Sequence, residues 1–168
     1  HSEKFVFIEG TMTVSDTLNV RGGTPITGTL ADGANTRGSS VYLGAAGKLN
    51  TTQAGSTINV VGSRDVDIYM PLISGGAVGS TGVTWAGDGS AVSVTAGQQI
   101  FLDAPIQAAG QILLKPGSPG ADDNGRNLVM STASGLNAAG RGANGSGSII
   151  RIESDDDLVI DRKSTRLN

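Results

Sequence analysis

Val92-Ser93-Val94-Thr95-Ala96-Gly97, then Gln99-Ile100-Phe101-Leu102-Asp103-Ala104, then Pro105-Ile106-Gln107-Ala108-Ala109-Gly110 form one run, and at Ile112-Leu113-Leu114 its opening pattern returns. Three short segments thus fit in twenty residues. Within each, apolar residues alternate with polar or small ones, the period of a strand that buries one face. The same spacing, an apolar pair at i and i+2 with a further apolar residue eight positions after the first, starts at Leu18, Ile58, Val92 and Ile150. It gives Leu18/Val20 then Ile26, Ile58/Val60 then Val66/Ile68, Val92/Val94 then Ile100/Leu102, and Ile150/Ile152 then Leu158/Ile160.

Outward from this core the pattern persists with changes of length. Ile112/Leu114 is followed by an inserted loop over 116–125, then Leu128/Met130, Leu136 and Ala139-Gly140. Val41/Leu43 with Leu49 repeats the eight-residue step in a shorter turn, and Pro71 and Pro105 hold the same place relative to Val66/Ile68 and Ile100/Leu102. A supersecondary unit that recurs with insertions between otherwise unchanged copies predicts an all-β, single-stranded parallel β-helix, a solenoid in which each coil adds a rung. Six or so coils at the inter-strand spacing make a rod roughly 30 Å long. The competing expectation is an antiparallel β-sandwich, which also shows short alternating strands at this spacing. Gly62, Gly97, Gly110 and Gly140 are expected to supply left-handed corners.

Composition supports an aliphatic core. The chain has 168 residues, 26 of them Gly, with no Cys and 4% aromatics, so its interior is filled by Val, Ile, Leu and Ala in repeated layers. At 38% hydrophobic it is too regularly apolar for a flexible Gly/Ser linker. A net charge of -3 argues against nucleic acid as the partner. The longest mostly apolar stretch, Ile68 to Ile73, falls far short of a membrane span. Residues 1–161 read as one β-helix repeat segment of a longer protein, since the opening at His1 carries no signal-peptide succession. Residues 162–168, Arg162-Lys163-Ser164-Thr165-Arg166-Leu167-Asn168, break that composition and read either as a charged solvated terminus or as a non-native tail.

The run from Ser93 to Gly110 resembles the repeats of filamentous haemagglutinin-like and other very large bacterial exoproteins. The likeness extends over about residues 12–161 and is strongest from 56 to 114. It implies that the β-helix is right-handed and forms the structural shaft of a secreted or cell-surface adhesin serving attachment or biofilm. It also implies an extracellular or bacterial outer-surface location. The Asn-Pro motifs that mark the family's secretion domain have no counterpart here, so the resemblance is to the repetitive shaft.

Catalytic chemistry is sparsely provided. The one His is residue 1 and Cys is absent, which removes Ser/His/Asp triads, thiolates and His-metal sites. No cofactor is expected, and the chain is read as a non-enzyme. Asp155-Asp156-Asp157, with Glu153 and Asp161, is the densest acidic cluster; calcium is its conceivable ligand and a solvated corner its simpler reading. The loop 121–126 lacks the closing Glu of an EF-hand and reads as Asx turns. Polysaccharide lyases and hydrolases also use parallel β-helices. For that alternative the candidates are Asp65, Asp67 and Asp103, with Asp67 and Asp103 forming a loose outward ridge. Trp85, ahead of the turn Gly87-Asp88-Gly89, is the candidate for stacking on sugar rings. Thr, Ser, Asn and Gln, as in Asn50-Thr51-Thr52-Gln53 and Thr81, predict polar outward faces suited to repeated weak contact with glycans or surfaces. Uncovered coil ends predict self-association.

Overall fold

The computed structural model describes residues 4–25, 38–80, 82–118, 127–139, 148–154 and 158–160. The chain climbs as a succession of coils, each contributing one strand to each of three sheets. The first coil is β1 (Val6–Ile8), β2 (Met12–Val14) and β3 (Thr17–Gly22). The second is β4 (Ser39–Leu43), β5 (Leu49–Thr51) and β6 (Thr57–Gly62). The third has β7 (Asp65–Ile68) and β8 (Leu72–Ser74), then an inserted pair, β9 (Gly76–Gly79) and β10 (Gly82–Trp85), then β11 (Ala91–Ala96). The fourth is β12 (Ile100–Leu102), β13 (Pro105–Ala108) and β14 (Gln111–Lys115); the fifth is β15 (Leu128–Met130), β16 (Gly135–Ala138) and β17 (Ile149–Ile152). β18 (Leu158–Ile160) adds one strand more.

The first sheet runs β1-β4-β7-β12-β15-β18, the second β2-β5-β8-β13-β16 and the third β3-β6-β11-β14-β17. Every pairing within these three sheets is parallel. No helix occurs among the described residues. The architecture is all-β and consistent with a β-helix or solenoid. Antiparallel pairing is confined to β9 and β10, so the described sheets do not build a sandwich. At the inter-strand spacing, the six strands of the first sheet span about 24 Å.

Register follows the apolar spacing. In the third sheet Leu18, Ile58, Val92, Ile112 and Ile150 lie over one another, as do Val20, Val60, Val94, Leu114 and Ile152. In the first sheet Val41, Val66, Ile100 and Leu128 form one column and Leu43, Ile68, Leu102 and Met130 another. Leu158 and Ile160 continue both columns, while Ile26 lies outside the described residues. The columns meet in one aliphatic core, with Leu43, Ile58, Ile68, Ile100 and Leu102 at zero exposure. A one-residue slip would turn a whole column to solvent, and this fixes the register.

The second sheet departs from that scheme. Its first column is apolar, Leu49, Leu72 and Ile106. Its second contains Thr51 and Ser74, both fully buried. Their hydroxyls bond one another at 3.0 Å, Thr51 meets Ser56 Oγ at 2.7 Å, and Ser74 donates to the Ser56 carbonyl at 2.9 Å. Buried polar groups need such partners. Thr51 is therefore an inward corner residue, and Asn50, 3% exposed, is no open surface group either. Thr81 lies outside the described residues.

Two details differ from the sequence reading. The step from Val41/Leu43 to Leu49 leads from the first sheet to the second, whereas in the other units it leads from the third to the first. The glycines of the corner after the third sheet are not left-handed; positive φ occurs at Gly38, Gly55, Gly75, Gly82, Gly87 and Gly89. Gly22, Gly97 and Gly117 are instead needed because the backbone of a neighbouring coil, the following one for Gly22 and the preceding one for Gly97 and Gly117, passes where a Cβ would stand. A Cβ on Gly110 would likewise stand 2.7 Å from the Ser90 carbonyl oxygen, and one on Gly62 would stand 2.6 Å from Val66 Cγ2. Gly140 and the tail 162–168 lie outside the described residues.

Candidate functional site

The outward face of the first sheet carries the acids singled out from the sequence. Strand alternation that points Val66 and Ile68 inward points Asp65 and Asp67 outward. Asp67 shares a register row with Phe7, Tyr42 and Phe101. The row continues to Val129, and from β1 to β12 it would be aromatic but for this acid. Tyr69, two residues on, supplies the missing ring: centroids run Phe7–Tyr42 5.6 Å, Tyr42–Tyr69 5.1 Å and Tyr69–Phe101 5.4 Å, with tilts of 33–39°. Such pairs contribute about 0.5–1.5 kcal/mol each beyond their burial. Because the rings occupy one another's faces, little π-surface is left for a sugar.

Asp67 is not the exposed acid that its outward position suggests. It is 2% exposed, and Ser39 Oγ donates to its Oδ2. Asp65 is equally buried; Gln99 N donates to its Oδ1 at 3.1 Å, and Arg64 Nε lies 3.7 Å from its Oδ2. Arg64 itself donates to Gln98 Oε1 at 2.5 Å. Asp103, half-buried beyond β12, accepts from Ser131 Oγ, while its backbone N donates to the Ile68 carbonyl at 2.8 Å. Strand geometry puts the Cα atoms of Asp67 and Asp103 about 8 Å apart. Only Asp103 has an accessible side, so the ridge drawn from the sequence does not form a pair open to a polymer. Both carboxylates act as acceptors that tie neighbouring coils together.

Trp85 sits on the inserted hairpin opposite Gly76. A Cβ on Gly76 would lie 3.0 Å from the indole Cε3 and closer still to Val83, so the half-buried ring lies across the glycine. The hairpin is tied to the coils by Ala86 N to Gly75 O at 2.9 Å and Gly55 N to Asp88 O at 3.2 Å, and β9 packs against β5. Gly89, at φ 85°, makes the turn that its sequence predicts. Asp155, Asp156 and Asp157 lie outside the described residues, as does the loop 121–126. Among the described residues no group of three His, Cys, Asp or Glu is placed to hold a metal ion, and no helix is long and apolar enough to cross a membrane.

The outward face of the third sheet is a feature that sequence reasoning missed. A shallow groove of about 480 Å³ is lined by Asn19, Arg21, Asn59, Val61 and Ser93. Asn19 and Asn59 are in register, and Asn59 Nδ2 donates to Asn19 Oδ1 at 2.9 Å. The signal was present in Leu18-Asn19-Val20 and Ile58-Asn59-Val60, whose central residues must stack once the flanking pairs do. The groove offers amide and hydroxyl groups at the strand spacing, an arrangement able to bond weakly and repeatedly to a polar polymer. In comparisons with protein-family models, with curated proteins and with solved structures, the chain matches none.

Proposed function

We propose that the chain is a shaft segment of a large secreted or cell-surface adhesin, built as a right-handed parallel β-helix and structural before it is adhesive. The observation that supports this best is the stacking of aliphatic columns through all three sheets, coil upon coil, with the outward acids bound into contacts between coils. A body of this kind resists extension, because stretching it must break rows of backbone hydrogen bonds together. Weak attachment to glycans falls to the groove of Asn19, Asn59 and Ser93, where many copies supply avidity.

In-frame duplication of residues 92–111 tests the shaft. Val92 and Ile112 are in register, so each extra copy should add one coil and lengthen the particle by about 4.8 Å in solution scattering. A compact particle whose longest dimension does not grow would overturn the reading. Release of reducing sugar or unsaturated products from pectin or alginate would favour a carbohydrate-active enzyme instead.

A further inference from the structure

We propose that Tyr42 and Tyr69 form a site of oxidative cross-linking, at which a one-electron oxidant of the peroxidase class joins the two rings as dityrosine and so bonds the second coil covalently to the third. The chain contains two tyrosines in 168 residues, and the fold brings them into contact: their ring centroids are 5.1 Å apart, with a tilt of 33°. At that separation and tilt some carbons of the two rings stand nearer than the centroids. Any dityrosine made within one molecule must join this pair.

The backbone holds the pair in place. Val41 and Leu43 point into the core at zero exposure, as do Ile68 and Met70, so alternation sends Tyr42 and Tyr69 outward on one face. Leu43 and Ile68 are in register, and Tyr69 N donates to the Leu43 carbonyl at 2.8 Å, which continues the ladder beneath the rings. Phe7 lies beyond Tyr42 and Phe101 beyond Tyr69, at 5.6 and 5.4 Å. Neither outer ring has a phenol, so a phenoxyl radical formed in the row stays on the inner two. Cys is absent, and no thiol intercepts the radical.

Each phenol gives up one electron to the oxidant and its hydroxyl proton to water, leaving spin shared between the oxygen and the Cε ring carbons. One Cε of Tyr42 then bonds to one Cε of Tyr69, and the hydrogen on each of those carbons moves to the oxygen of its own ring, restoring both aromatic systems. Two C–H bonds are lost and one C–C bond is gained, while the two electrons and two protons reduce hydrogen peroxide to two molecules of water. Tyr69, half-buried against the 7% exposure of Tyr42, meets the oxidant first, and electron exchange across 5.1 Å lets Tyr42 be oxidised through it. Held in contact, the two radicals couple without the search in solution that a bimolecular meeting requires. The inference rests on ring geometry alone, so its failure leaves the adhesin reading untouched.

Oxidation of the full chain, dilute, by a peroxidase and hydrogen peroxide tests it. Monomer recovered by gel filtration should carry dityrosine fluorescence, and tryptic mapping should find the peptide of Tyr42 joined to that of Tyr69, lighter than their sum by two hydrogen atoms. Relative to free tyrosine oxidised in the same solution, the urea-unfolded chain should give about ten-fold less of this product, because a disordered chain holds the two residues at a lower effective concentration. Tyr42→Phe and Tyr69→Phe preserve the row of rings, and each should abolish the signal in the monomer. A monomer without dityrosine, an equal yield in urea, or a signal that survives either substitution overturns the proposal.

Discussion

Gly97→Ala isolates the closeness of neighbouring coils. Gly97 has no positive φ, so alanine suits its backbone and would by itself add about 0.4–1 kcal/mol by restricting the unfolded chain. The new Cβ, however, would lie 2.8 Å from the Ser63 carbonyl carbon and nearer still to its oxygen. The obstacle is main chain, so it cannot rotate away. Two ladder bonds run through this corner, Gly97 N to Gly62 O at 3.0 Å and Gly117 N to Gln98 O at 2.9 Å. Overpacking costs about 1–3 kcal/mol and each of the two weakened hydrogen bonds about 0.5–1.5 kcal/mol, which, less the alanine gain, gives a net loss of about 1–5 kcal/mol, centred near 3. Two companions separate the causes. Gly10 has open space and no positive φ, so Gly10→Ala should gain about 0.4–1 kcal/mol. Gly55 also has open space but sits at φ 73°, so Gly55→Ala should lose about 1–2 kcal/mol through the backbone alone. Urea unfolding with an unchanged slope should rank Gly10→Ala above the parent, then Gly55→Ala, then Gly97→Ala. Ser63→Ala should not rescue Gly97→Ala. Parental stability in Gly97→Ala would refute the close approach, and rescue by Ser63→Ala would refute its main-chain origin.

Leu102→Ala, in the fully buried column between Ile68 and Met130, should cost about 2–5 kcal/mol by calorimetry or urea unfolding. Asp67→Ala leaves the buried Ser39 hydroxyl without that acceptor and should cost about 1–3 kcal/mol, while the apolar double change Ser39→Ala/Asp67→Leu should recover much of the loss. Trp85→Ala should speed amide exchange in residues 76–85, reduce stability by about 1–2 kcal/mol and leave glycan-array binding unchanged. Asn59→Leu, which removes the amide that bridges to Asn19, should weaken retention on immobilised polysaccharide without changing the unfolding free energy by more than about 0.5 kcal/mol, as expected of a surface change.

The columns were legible because a strand's side-chain period is strict: once Ile58/Val60 and Val92/Val94 share a phase, their stacking in one sheet follows. The three-strand coil from Val92 to Gly110 was legible for the same reason. The hairpin was not. Gly76, Gly79 and Gly82 dilute its alternation, and no Asn-Gly or Asp-Gly pair marks its turn. The burial of Asp67 was hidden because alternation tells inward from outward but does not say what covers an outward residue. Here Asp67 meets Ser39, which lies one coil away. The corner glycines misled for a related cause: a sequence shows that a Cβ is absent without showing whether φ or a neighbouring backbone requires it.

The three outward faces are not equivalent, and the difference bears on where a ligand can reach the molecule. On the first sheet four tilted rings follow one another at 5.1–5.6 Å across the coils, with Asp67 buried in the same row. On the second, β9 lies against β5 and the outward Asn50 and Ile73 are 3% and 4% exposed, whereas Thr13 and Asn137, in the same row, stay exposed. The first face and the middle of the second are given over to packing that holds adjacent coils in register. The third sheet keeps Asn19 and Asn59 on an open surface, bonded to each other and lined up with Ser93. Unlike the acids of the first sheet, these side chains bond along the row and not down into a corner, so each amide keeps groups free for a second partner. In the proposed adhesin, side-on contact would therefore fall first on this face, while the aromatic row would hold the coils of the shaft together.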